Sequence, residues 1–426
     1  MRNLISKFVD VRSDVELKGL MWSIAYGFLI MSSYYILRAV RDEIGASDSR
    51  NLQLLWTAVF LVMLLAVPLY SWVASRMSRG VFVPLANRFF IACLVAFWLC
   101  LVLLPETARP WIDRVFYVWV SVFALFVVTV FWGFMADCFS NEQGKRLFAT
   151  IAVGSSIGAM LGSTITAALA TIVPVFALLL IACVPLELAS WCALVLHRRF
   201  ATGDVKTEGE SNKAIEGNAW SGMKAVFSSK YLMGIAAFIA VMTFVSTVLY
   251  FQQSTLIYEG IPDRGERRAL LAKMDWVVNF LTILFQVYLT ARIVKWLGVG
   301  LTLAIVPVAM TAGFVTLGLY PTLAVLVVVQ VIYRAGRYGL TKPAREMLWT
   351  VLGREDKYKA KPFLDAAVYR GGDLVSGWIY TGLAAVGLSI GAIALVSAPV
   401  AGIWALLAFR LGKQEEELAN VQGDSK

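Results

Sequence analysis

Runs of about twenty apolar residues, separated by short polar breaks from residue 19 to residue 410, constrain this chain more than any other feature. One helical crossing of a bilayer's hydrocarbon core takes about 20 such residues. The hydropathy pattern predicts twelve spans, at 19–40, 54–74, 82–104, 114–137, 147–171, 174–196, 230–254, 270–292, 297–319, 321–341, 362–386 and 388–410. With 59% hydrophobic and only 15% charged residues, the remainder is too short and too dispersed for a soluble enzyme domain. The expected fold is all-α and integral to the membrane, with twelve transmembrane helices.

Composition narrows function by exclusion. His197 is the single histidine, which removes most imidazole catalysis and every multi-histidine metal site. Cys93, Cys100, Cys138, Cys183 and Cys192 show no CxxC or zinc-ligand spacing and read as packing residues. No GxxxxGK[ST] run exists to hold ATP for hydrolysis. The chain is expected to be neither an enzyme nor a metal or cofactor carrier. Its net charge of +10 could suit nucleic acid, but there is no soluble basic-aromatic patch to bind it. Placing the N-terminus in the cytoplasm gathers most of the basic residues in loops on that side, the pattern of a multi-pass protein of a bacterial cytoplasmic membrane with both termini inside.

The divisions follow from this topology. Residues 1–18 carry Arg2, Lys7, Arg12 and Lys18 among Leu4, Ile5, Phe8 and Val9, and read as an amphipathic interfacial segment. Residues 19–197 form one six-helix bundle, 198–229 a cytoplasmic linker, 230–410 a second six-helix bundle and 411–426 a cytoplasmic tail. Two six-helix pseudo-repeats about a central loop are the layout of major-facilitator transporters. In span 5, Gly154, Gly158 and Gly162 predict close helix packing.

Charges inside spans cost about 2.5–3.5 kcal/mol each on insertion scales, so they mark partners or wet paths. In span 1, Tyr34, Arg38 and Asp42 share a face with Arg41 beside them. Arg334 and Arg337 lie one turn apart in span 10, and repel unless something anionic offsets them. In span 11, Asp365 and Asp373 are eight apart on one helical face with Arg370 one turn from Asp373; Glu187 follows Pro185 in span 6, and Asp275 opens span 8. Arg38 with Asp42, or Arg370 with Asp373, could equally be structural ion pairs. Tyr34, Tyr35, Tyr333 and Tyr338 could stack on an aromatic solute.

The run Tyr35-Ile36-Leu37-Arg38-Ala39-Val40-Arg41-Asp42 resembles the first-span signature of the ATP/ADP translocases of plastids and intracellular bacteria. Phe131-Trp132-Gly133-Phe134 is similar to their span 4. So is the stretch from Arg337-Tyr338-Gly339-Leu340 through Pro343-Ala344-Arg345-Glu346-Met347 to Lys361, Asp365 and Arg370. The resemblance implies a nucleotide-exchange scaffold, in its broader bacterial branch, with Arg41 and Arg345 where the family usually has lysine. It departs in span 4, which has no acid between Val115 and Ala136 and has Val120 where the family carries a glutamate.

The reading is a secondary transporter working by alternating access on an anionic, phosphorylated or nucleotide-like small solute, in the manner of an antiporter. Arg38, Arg41, Arg334, Arg337, Tyr34 and Tyr338 are the expected binding residues, and Asp42, Asp365, Arg370, Asp373 and Glu187 the expected coupling residues. One alternative is a proton-coupled carrier of another organic or amphipathic solute. The other is a membrane scaffold that keeps the transporter fold and moves nothing.

Overall fold

A computed structural model describes residues 12–74, 76–77, 79–200, 219–352, 360–361 and 363–424, which are helical apart from short turns. The helices are α1 (Asp14–Ser47), α2 (Leu52–Ala74), α3 (Arg79–Leu103), α4 (Arg109–Cys138), α5 (Asn141–Leu169) and α6 (Val175–Phe200). After a short α7 (Ala219–Ser228) come α8 (Lys230–Gly260), α9 (Arg264–Leu284), α10 (Thr290–Leu319), α11 (Leu323–Gly336), α12 (Lys342–Met347), α13 (Tyr369–Ala385) and α14 (Ile390–Asp424). Three π-turns interrupt them, at Phe285–Leu289, Arg337–Thr341 and Leu364–Val368.

Among the described residues, ten helical stretches are long and apolar enough to cross a membrane. One of them, Arg264–Leu319, covers two of the expected spans and bends at Gly298, whose φ of 74° is a conformation that glycine adopts without steric cost. The π-turn at Leu364–Val368 followed by α13 falls where the eleventh span was expected. Helix ends differ from the hydropathy edges. α1 begins at Asp14, because Ser13 caps it by accepting the Glu16 N–H, and α14 continues to Asp424. The amphipathic segment lies outside the described residues up to residue 11, and the linker does so from 201 to 218.

The described helices fall into two compact units. The first comprises Met1–Asp48, Leu54–Val205 and Ile261–Phe280, so it includes the first turns of α9. In it α1 packs on α5 and α6, and α3 on α6. The α1–α5 crossing is close because α5 is glycine-lined there. A Cβ on Gly158 would lie 2.0 Å from the Phe28 carbonyl oxygen, and Ser32 Oγ donates to the Gly158 carbonyl at 2.9 Å. The second unit comprises Ser49–Gln53, Lys206–Gly260 and Leu281–Lys426. In it α10 packs along α14, and α8 against α13 and α14, with Trp404 and Phe238 buried together.

Candidate functional site

In the first unit, charge collects where α1 ends and α4 and α9 begin. Arg38 Nε lies 3.5 Å from Asp42 and 3.4 Å from Asp275, with its guanidinium over the Tyr35 ring. Arg41 binds Asp42 at 2.8 Å and sits over Tyr117. Tyr34 packs edge-on against Tyr35. Both arginines of span 1 therefore have protein carboxylates at ion-pair distance.

One position further along, Glu43 is fully buried. Its Oε1 accepts from Ser47 Oγ at 2.6 Å and Arg264 Nε at 2.8 Å, while Oε2 accepts from Arg264 Nη2 at 3.1 Å and lies 3.5 Å from Arg268. Arg264 also donates to Asp113 at 2.8 Å. Arg267 binds the Ile261 and Pro262 carbonyls and Ser47 Oγ. Buried charge is stable only when paired and hydrogen-bonded, and this network meets that demand for Glu43 across 221 positions of sequence.

The second unit is built differently. Arg337 opens the π-turn Arg337–Thr341, whose local cause is Pro343. Proline has no N–H to give to the carbonyls four and five positions back. Side chains replace it: Thr290 Oγ1 donates to the Gly339 carbonyl at 2.7 Å, and Gln286 Nε2 to that of Tyr338 at 3.2 Å. The turn presents Arg337 to a ring of hydroxyls. Its Nη1 donates to Ser246 Oγ at 3.2 Å and to Tyr333 Oη at 3.4 Å, and its Nη2 to Tyr369 Oη. The guanidinium carbon lies 5.4 Å from the Tyr369 ring centre and 5.8 Å from those of Tyr333 and Tyr338. Among the described residues no carboxylate comes within ion-pair distance of Arg337, although Asp373 feels the charge of both Arg337 and Arg370. Arg370 lies over Tyr369. Arg334 is buried in the last turn of α11.

The expected residues therefore divide among places. Tyr34, Arg38, Arg41 and Asp42 gather on α1, while Arg337, Tyr338, Asp373 and Arg370 gather in the second unit. Asp365 goes elsewhere, to Arg345 at 3.2 Å, because the π-turn Leu364–Val368 breaks the α-period that the eight-residue spacing to Asp373 assumed. Glu187 pairs with Arg88 at 2.9 Å. Sequence reasoning missed Glu43, Asp113, Arg264, Ser246, Tyr369 and Arg88. Glu43 adjoins a singled-out run and Arg88 is the one charge in its span, so both were open to notice; the long-range partners were not.

No protein-family model matches the sequence, and no curated protein matches it. Structural similarity is extensive. A POT family transporter in complex with 5-aminolevulinic acid superposes with a TM-score of 0.66 over 93% of this chain and 96% of its own, at 12% identity. The nucleoside transporter NupG gives 0.64 over 94% and 99%, at 13% identity. The xylose transporter XylE from E. coli, in an inward open conformation, gives 0.65 over 95% and 99%, also at 13% identity. The fold is of the major-facilitator type. With ten apolar helices among the described residues, the chain is a multi-pass membrane protein.

Proposed function

We propose that the chain is a secondary transporter that moves an anionic small solute by alternating access, with Arg337 as the group that grips it. The observation carrying this reading is the manner in which Arg337 is held. Guanidinium stays charged at any working pH and is costly in a membrane, so it needs compensation. Arg38, Arg41 and Arg264 have it from carboxylates, whereas Arg337 has hydroxyls and aromatic faces, which offset the charge without cancelling it. A phosphate or carboxylate would complete the set. Three tyrosine rings around the same guanidinium suit a solute with a planar group, and the resemblance to nucleotide translocases points the same way. The missing span-4 acid argues against ATP/ADP exchange in particular, and solved proteins of this fold carry solutes too varied for fold alone to choose.

A second reading rests on Asp373, whose carboxyl interacts electrostatically with both Arg337 and Arg370. In it, a proton taken up and released at Asp373 drives the cycle. Counterflow in proteoliposomes tests the first reading, with inorganic phosphate and nucleoside phosphates as the solutes offered. A bidentate phosphate grip fails in both Arg337→Ala and Arg337→Lys, because an ammonium is a point charge; a purely electrostatic station is partly rescued by lysine. Undiminished transport by Arg337→Ala ends the proposal. A proton-driven cycle shows instead as solute uptake that follows an imposed pH gradient and is lost in Asp373→Asn.

A further inference from the structure

Arg88 and Glu187 are the only charged residues in 82–103 and 175–196, and they find each other across α3 and α6. Arg88 Nη2 donates to Glu187 Oε1 at 2.9 Å and Nε to Oε2 at 3.4 Å. Glu187 lies twelve positions past Val175 and eleven before Arg198, the ends of its apolar stretch. At 1.5 Å per residue that is about 17 Å from either end, and Arg88, six positions past Phe82, lies about 9 Å into its own stretch, so both fall within a hydrocarbon core about 30 Å thick. A tight pair at this depth should be enclosed, yet the two side chains are 53% and 50% exposed.

What surrounds them is apolar. Leu85 and Phe89 on α3, with Val184 and Trp191 on α6, are each more than half exposed on the same stripes. A water-filled passage needs polar lining, and these stripes carry none besides the pair. Only two of the five guanidinium N–H groups are engaged among the described residues, and the carboxylate keeps open lone pairs. Acyl chains satisfy none of these.

We propose that this face docks a second copy of the chain, in a two-fold dimer where Arg88 of each copy reaches Glu187 of the other. A two-fold axis brings residue i onto j and j onto i, so one base beside one acid is complementary to itself. Four charges then form a closed ring at the centre of the contact, and the apolar flanks pack around it. This does not depend on the solute or on Arg337.

The test is single-molecule photobleaching of singly labelled full-length protein, in vesicles of phosphatidylethanolamine and phosphatidylglycerol over a range of protein-to-lipid ratios. Wild type should show two-step bleaching that rises with protein density. Arg88→Leu/Glu187→Leu should need at least about tenfold higher density, equivalent to about 1.4 kcal/mol. The exchanged pair Arg88→Glu/Glu187→Arg should associate like wild type. Arg88→Glu and Glu187→Arg, made separately, should associate only when mixed, which answers the question even if the double-leucine protein does not fold. One-step bleaching of wild type at every density, whether the face meets lipid or water, overturns the proposal. So does double-leucine protein that dimerises like wild type, or a mixture of the single variants that gains nothing.

Discussion

At the scale of single residues, the arginines differ in what compensates them, and this sets the sign of two expected outcomes. The Tyr369 hydroxyl accepts from Arg337 Nη2, so Tyr369→Phe leaves a donor unsatisfied at a cost of about 1–3 kcal/mol. The ligand-free protein should melt earlier. An anion then gains a vacant donor, so its thermal shift should grow relative to wild type; a shift no larger than wild type's speaks against a solute at this cage. Glu43→Gln should also lower stability, by on the order of 3 kcal/mol, since Arg264 and Arg268 lose a buried carboxylate. Thermal unfolding checks this, and an unchanged midpoint would show the network to be dispensable. The sequence displayed Arg337 plainly, because a charge in an apolar run stands out. It did not display Ser246 and Tyr369, which are unremarkable in their own helices and become partners only through tertiary packing.

At the scale of elements, helices were legible because apolar length alone dictates them, but their interruptions were not. The π-turn at Arg337–Thr341 depends on Pro343 and on two donors, Thr290 and Gln286, from a segment some fifty positions earlier. Helix spacing arguments across such a turn fail, as the separate partners of Asp365 and Asp373 show. Close helix contacts were better announced, by glycines four apart. Gly158→Ala should destabilise by about 2 kcal/mol or more, since its Cβ meets the Phe28 backbone, which cannot step aside. Gly382→Ala in α13, whose Cβ would meet nothing within 4 Å, should stabilise by about 0.5–1 kcal/mol through helix propensity. Opposite shifts in melting temperature from the same chemical change are the expected result, and equal shifts would contradict the α1–α5 crossing.

At the scale of the molecule, orientation follows from charge, because short loops rich in lysine and arginine stay in the cytoplasm. The basic residues of 142–146, 198–230 and 342–361 belong to one side if the helices alternate, and the turn Glu106–Ala108 then belongs to the other. On that reading the Glu43–Arg264–Asp113 network lies toward the outside, where it would hold the first turns of α9 against α1 in one state of the transport cycle. A background with the five native cysteines replaced permits a direct check with a membrane-impermeant maleimide on intact cells. A cysteine at Glu106, which is exposed, should be labelled from outside. A cysteine at Gly209 should be labelled only after the membrane is breached. Labelling of Gly209→Cys in intact cells would reverse the whole assignment, and would place the Glu43 network toward the cytoplasm instead.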